Sequence, residues 1–307
     1  MKLFKQTPNF PFVRRRFLFL GISGALVVTC LFIFFTRGLN FGTDFLGGVK
    51  LQYHFANEVS EADIRKTLAD LNLGEISIVR LGDPKEKRLA IKVAKTSDDI
   101  SSLSKTITPK LTEAFGEANV TLEMEVTVGP KVGSELQRKG TLAVLFSLLC
   151  MLIYIGFRLD FYFAPGAIVA LFHDVSIPLG IFALLQIEFD LTTLAAFLTI
   201  VGYSINDSII VFDRIREHAR LITDNTLEEV VERSINETLS RTILTSLTVF
   251  FVVVVLYFFG GATIKGFAFA MMLGVILGTV STFSVVCPIY IWLYRFIPKM
   301  QARFEKK

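Results

Sequence analysis

Six stretches of the chain are apolar for about the 20 residues that a helix needs to cross a hydrocarbon core some 30 Å thick. They run over 17–36, 140–157, 163–185, 191–212, 242–260 and 267–294. Between the first two, residues 37–139 change to short alternating segments separated by turn residues, which is the pattern of a small folded domain. VKLQYHF reads as a strand. The helix after it is capped by Ser60, has Asp63 three residues on, and carries Ile64, Leu68 and Leu71 as an apolar stripe. EISIVRL and RLAIKVA read as strands on either side of a turn built from Gly82, Asp83 and Pro84. A second helix, over 98–116, leads to NVTLEMEVTVG, where Val120, Leu122, Met124, Val126 and Val128 alternate with polar residues. The order β-α-β-β-α-β predicts a ferredoxin-like sandwich. The expected fold is therefore an α-helical integral membrane protein of six transmembrane helices, with a ferredoxin-like α+β exported domain between spans one and two.

Composition excludes an ordinary soluble domain, since 52% of the 307 residues are hydrophobic, Phe occurs 30 times and mean hydropathy is +0.56. The net charge of +4 says less than its distribution. Half of the 32 basic residues fall in segments on one side: the N-terminus with Lys2, Lys5, Arg14, Arg15 and Arg16; Arg158; Arg214, Arg216, Arg220 and Arg233; Arg241; and the tail from Arg295. The short connections on the other side carry only Lys265, beside the acidic Glu188 and Asp190. Basic flanks are retained in the cytoplasm, so both termini face it. This gives a cytoplasmic N-terminus (1–16), span one (17–36), the exported domain (37–139), spans two to six (140–294) and a cytoplasmic tail (295–307). The first run is followed by TRGLNFG, which has no small-x-small cleavage site, and reads as a retained span. Thr226 and Glu229 form a capping-box pattern ahead of Val230, Val231 and Ile235, predicting a short amphipathic helix near 226–240 on the cytoplasmic surface. Cys30, Cys150 and Cys287 all lie in spans and read as buried small hydrophobes, with no disulfide framework or thiolate metal site.

The candidate chemistry is in the membrane. Asp207 lies inside TLAAFLTIVGYSINDSIIVFDRIRE, where a central carboxylate costs roughly 2.5 to 3.5 kcal/mol to insert and needs a partner, water or a proton. Tyr203, Ser204, Asp207 and Ser208 fall on adjacent parts of one helix face, with Asn206 beside them. Arg241 stands at the mouth of the next span, whose Thr238, Thr242, Thr245 and Thr248 continue a polar stripe. The two helices are placed to line a hydrated path, and burial and a guanidinium act on Asp207 in opposite senses. One elementary charge crossing 100 mV supplies roughly 2.3 kcal/mol, enough to bias a conformational equilibrium. The blander alternative makes Asp207 a hydrogen-bonded polar staple and Arg241 a snorkelling span end. His173 and Asp174, central and adjacent in the third span, are auxiliary candidates. Asp213 and Arg214 read as interfacial caps. Gly266, Ala270, Gly274, Gly278 and Thr282 recur every four residues, a small ridge for close helix contact. The exported domain offers no catalytic constellation, and His54 reads as structural.

GLNFGTDFLGG (38–48), VGYSINDSIIVFDRIRE (201–217) and NETLSRTILTS (236–246) resemble, in order, the signature segments of SecF members of the SecD/SecF protein-export family, part of the resistance-nodulation-division superfamily. The resemblance covers essentially the whole chain. It implies a non-enzymatic subunit of the bacterial inner membrane with a periplasmic domain, working with SecD beside the SecYEG channel on translocating secretory proteins, with protons as the coupling ion and no bound cofactor or metal. YajC and membrane lipids are further expected partners, and nucleic acid is not one. The family's carboxylate and arginine linked to proton transport fall on Asp207 and Arg241. Leu46 stands where the family often has Thr, so the first segment carries no ligand, and Gly42, Gly47 and Gly48 shape a turn. Competing readings are a proton-coupled small-molecule or lipid exporter of the superfamily, a passive scaffold of the translocon, and an intramembrane aspartyl protease using Asp174 and Asp207. The last lacks the GxGD context, because Ser204, Ile205 and Asn206 precede Asp207.

Overall fold

A computed structural model describes residues 7–71, 73, 75–81, 86–94, 103–159, 162–221 and 226–296. The predicted turn at Gly82, Asp83 and Pro84 and the tail beyond 296 lie outside the described residues. In chain order, α1 (Arg16–Arg37) leads through the two-residue strand β1 (Asn40–Phe41) and the single turn α2 (Thr43–Leu46) into a four-stranded unit. That unit is β2 (Gly48–Phe55), α3 (Glu61–Leu68), β3 (Glu75–Leu81), β4 (Arg88–Ala94), α4 (Leu103–Phe115) and β5 (Val120–Val128). Then come α5 (Pro130–Arg158), α6 (Ala164–Leu185), β6 (Glu188–Phe189), α7 (Leu191–Leu221) and α8 (Leu227–Phe259). The last span joins α9 (Ala262–Ser281) to α10 (Cys287–Phe296) through a π-helical turn at 282–286. Pro288 lacks the N–H that the Ser284 carbonyl would otherwise receive, a local reason for the irregular winding.

The six spans are long and apolar enough to cross a membrane, and they divide into two sets. In α6, α7 and the α9–α10 span half or more of the apolar window is buried within the chain; in α1, α5 and α8 it is under a fifth. The small ridge explains the inner set. A Cβ added at Gly266 would sit 2.9 Å from Thr193 Oγ1, at Gly274 2.3 Å from Ile200 and at Gly278 3.2 Å from the Ser204 Cα, so successive turns of α9 lie directly on successive turns of α7. On the outer side Gly180 of α6 meets Cys30 of α1 at backbone distance.

The sheet is antiparallel throughout in the order β3-β4-β2-β5, with α3 and α4 on one face. Val49, Leu51, Tyr53 and Phe55 alternate inward along β2 and pack with Ile64, Leu68, Ile91, Ile107 and Leu111. Ser60 caps α3, accepting from the Asp63 N–H at 3.1 Å. The alternation expected along β5 is broken. Gln52 pairs with Met124 but Tyr53 with Leu122, so a bulge at Glu123 inserts one residue. Val120 and Leu122 stay on the core face, while Met124, Val126 and Val128 share the open face with Gln52 and Lys50.

Three further expectations change. Residues 227–240 form no separate helix. Thr226 caps them with the full box, but with no Gly or Pro before Gly260 the helix runs on through span five. The second span begins at Pro130, where Pro can occupy the first helical turn, rather than at 140. Cys150 is exposed, because α5 makes few contacts within the chain; Cys30 and Cys287 are buried.

Gly278→Val forces α7 and α9 apart and is expected to cost about 1 to 3 kcal/mol, seen as a lower unfolding temperature in detergent. Gly202→Ala, whose Cβ meets nothing within 4 Å, is expected to leave that temperature unchanged.

Candidate functional site

Asp207 lies midway along α7, buried against α8. Its polar neighbours across the interface are Ser246 and Arg241. The Ser246 hydroxyl is engaged with Thr279 Oγ1 of α9 at 2.7 Å. Asp207 Oδ2, Tyr203 Oη and Thr242 Oγ1 are buried and none has a partner in full hydrogen-bond geometry, although the Ser246 hydroxyl neighbours both Asp207 and Tyr203. These three orphaned atoms on facing helices mark a polar seam whose demand for hydrogen bonds the chain does not meet by itself.

The expected polar stripe of α8 splits in two. Thr238, Thr242 and Ser246 are buried, whereas Arg241, Thr245 and Thr248 are exposed on the outer side of the helix. Helical geometry is the reason: neighbours in sequence diverge by about 100°, so Arg241 and Thr242 cannot face the same way. Arg241 therefore influences Asp207 electrostatically without forming an ion pair with it. Thr245 donates to its own helix, to the carbonyls of Thr242 and Arg241. Asn206 is exposed and is not part of the seam. Exposed positions on these helices include small and polar ones, Ala195, Thr199, Gly202 and Asn206 on α7 and Arg241, Thr245 and Thr248 on α8, the latter among the exposed apolar Leu247, Phe251 and Val252.

Ser204 and Ser208, expected beside Asp207, instead point away from α8, toward α6 and the last span. Ser204 Oγ donates to Asp174 Oδ2 at 2.5 Å, and Ser208 Oγ lies 3.3 Å from Thr282 Oγ1. Ser281 Oγ donates to the same Asp174 oxygen at 2.7 Å, and His173 Nδ1 is 2.8 Å from Asp174 Oδ1. Asp174 is fully buried with both oxygens occupied, and it ties α6, α7 and α9 together just where α9 passes into the π-helical turn. Ser281 was not singled out from sequence, although it follows the Gly278 ridge position by three residues. At the end of the bundle nearer the termini, Arg158 grips Asp213 with both nitrogens, and Glu237 gathers Arg214, Arg233 at 2.8 Å and His218 at 3.2 Å.

At the opposite end, Gly47 and Gly48 have φ of 74° and 121°, a left-handed turn that Gly alone adopts without strain. A Cβ on Gly133 would stand 2.8 Å from the Gly47 nitrogen, so α5 passes against this turn at backbone distance.

Residues 107–295 match the family described as protein export membrane protein SecD/SecF, C-terminal, and residues 32–59 match the SecD/SecF GG motif. The chain belongs to the SecD/SecF family. It is 43% identical to protein translocase subunit SecF of Calditerrivibrio nitroreducens, over 93% of this chain and 94% of that one, and 41% identical to the SecF of Desulfurispirillum indicum, over 97% and 96%. Among solved structures it resembles the translocon-associated membrane protein SecDF from Thermus, with TM-score 0.85 and 34% identity over 95% of this chain. The chain spans 40% of that SecDF chain. The GG motif falls on the Gly47–Gly48 turn, and the C-terminal match takes in all the residues of the seam.

The two buried carboxylates have opposite roles in stability. Asp174→Ala strips Ser204 and His173 of their buried partner and leaves Ser281 only the Gly278 carbonyl, and is expected to cost about 3 kcal/mol or more, read as loss of folded protein in detergent. Asp207→Ala, removing an oxygen that has no partner, is expected to leave the unfolding temperature unchanged or raise it.

Proposed function

We propose that the chain acts with SecD in moving proteins across the bacterial inner membrane through the SecYEG channel, and that it draws on the proton-motive force through Asp207. The observation that carries this reading is the buried Asp207 carboxyl with an unpartnered oxygen in a seam of orphaned polar atoms. An empty acceptor at that depth is stabilised by taking up a proton or by a donor that arrives when the helices move. Arg241, one helix away and unpaired with it, provides a charge whose distance to Asp207 can change.

The partner follows from the outer surface of α7 and α8. A guanidinium, two threonines and an asparagine facing lipid are unfavourable, whereas small and polar residues suit close contact with another helical bundle. SecD is the bundle that the family offers: SecDF of Brucella abortus, 36% identical, is long enough that this chain spans only 38% of it. The four-stranded unit has the strand order of a ferredoxin-like sandwich, and we assign it to the exported side, where it handles the emerging chain. The termini then lie in the cytoplasm.

In cells depleted of the native protein, Asp207→Asn is expected to abolish the part of secretory precursor release that depends on the proton gradient while SecD still copurifies. Unchanged release would leave a passive scaffold as the role of the chain. Gly202→Leu is expected to reduce copurification of SecD at least several-fold without lowering the unfolding temperature of the isolated chain.

A further inference from the structure

The sheet and α7 are joined by contacts that lie outside the seam. Asp44 of α2 reaches across to α7 and accepts the Leu191 N–H at 3.0 Å, in the first turn of the helix that carries Asp207. Asp190 caps the same end from within, accepting from Thr193 N–H at 2.7 Å. A carboxylate on the orphan N–H groups of a helix start is favourable both as a hydrogen bond and against the helix dipole. Next to it, β1 pairs in parallel with β6, Asn40 opposite Glu188 and Phe41 opposite Phe189, and Gly42 N–H donates to the Phe189 carbonyl at 2.9 Å.

Glu188 completes the tie. Its Oε2 lies 3.1 Å from Lys50 Nζ on β2 and 2.8 Å from Lys92 Nζ on β4, and these two lysines face each other across adjacent strands. The three side chains are four-fifths buried or nearly so. Burial works against the charged carboxyl, yet the two ammonium groups more than offset it and hold Glu188 below its usual range. Gly42 makes room, since a Cβ there would stand 2.9 Å from Glu188 Oε1. The open face of the sheet is thus clasped to the residue that enters α7, and the loop before the sheet caps α7 itself.

We infer that Asp44 and Glu188 are positioning residues that transmit movement of α7 to the sheet. This rests on the reading of Asp207 given above, because it supplies the movement. The alternative, that the contacts merely hold the fold, is separated by experiment.

Spin labels at the exposed Lys66 and Leu185, with Cys150→Ser, report the distance between the sheet and the outer end of α6 in the full chain bound to SecD in nanodiscs. A narrow distribution is expected that moves with Asp207→Asn. Glu188→Gln, Asp44→Ala or Gly42→Ala is expected to broaden it, cancel its response to Asp207→Asn, and lower gradient-dependent translocation several-fold while SecD still copurifies. Reversing the charges, Glu188→Lys with Lys50→Glu and Lys92→Glu, is expected to restore both readouts. The inference is overturned if the distribution and translocation ignore Glu188→Gln, if the distribution stays fixed under Asp207→Asn although gradient dependence is lost, or if these variants act only by losing SecD. Should Asp207→Asn leave gradient dependence intact, the proton reading fails by itself, and the response of the distribution to Glu188→Gln still decides the clasp.

Discussion

The close approach of α7 and α9 is the constraint on which the bundle depends. With lipid outside, burying apolar side chains gives helices no advantage over leaving them in the bilayer, so association has to come from packing and polar contacts at short range. Gly266, Gly274 and Gly278 let α9 lie on Thr193, Ile200 and Ser204 of α7, and only at that separation can Ser204 and Ser281 reach the same oxygen of Asp174. A wider spacing would leave the Asp174 carboxylate short of donors in an apolar interior, where each missing bond costs about 1 to 3 kcal/mol. The ridge and the buried acid therefore stabilise one arrangement jointly. The same contact fixes the rotation of α7, and so sends Asp207 to the α8 side.

Asp174 and Asp207 show how the environment separates two chemically identical groups. Asp174 has its donors from three helices and no exposed surface, so a change in its protonation would break contacts on every side. Asp207 has an oxygen without a partner and borders a helix with little of its surface buried in the chain. A group whose bonding is incomplete can gain or lose a proton with less rearrangement. The sequence alone places Asp207 first and Asp174 beside it as an auxiliary, both as acids within a span; donors from other helices, Ser204 and Ser281 at Asp174, make the difference.

Much of the fold is legible in the sequence because it is carried by local periodicity. Span lengths, the inward alternation of Val49, Leu51, Tyr53 and Phe55, the Ser60 and Thr226 caps and the four-residue ridge all follow from patterns within a single element. Features that depend on one residue or on distant partners do not. The bulge at Glu123 leaves the alternation of β5 intact on paper while reversing its faces. The continuity of α8 was hidden by a change from polar to apolar residues, although helix ends are set by caps and breakers, and none lies between Thr226 and Gly260. In the candidate site the acid itself was legible, and helical spacing divides the stripe of α8 in two, but which half is buried was not legible, since that depends on where α7 and α9 stand. Glu188 and its lysines, 138 residues apart in the case of Lys50, left no sequence signal.

Helix α7 gives these parts a common axis. Its 31 residues start at the Asp44 cap and pass Asp207 about 24 Å further on, at 1.5 Å per residue, before reaching Arg214 and its partner Glu237. No Pro interrupts it, so its hydrogen-bonded backbone has no local cause for a kink between the cap and Arg214. A change in the charge of Asp207 acts on the exposed and lightly packed α8 side, whereas the α9 side is locked by the ridge. Motion of α7 as a rigid body must carry its capped end along, and that end is attached to the sheet by carboxylates rather than by a flexible connection. The arrangement thus places a group of incomplete bonding on a stiff element whose far end is fastened to the folded domain outside the membrane.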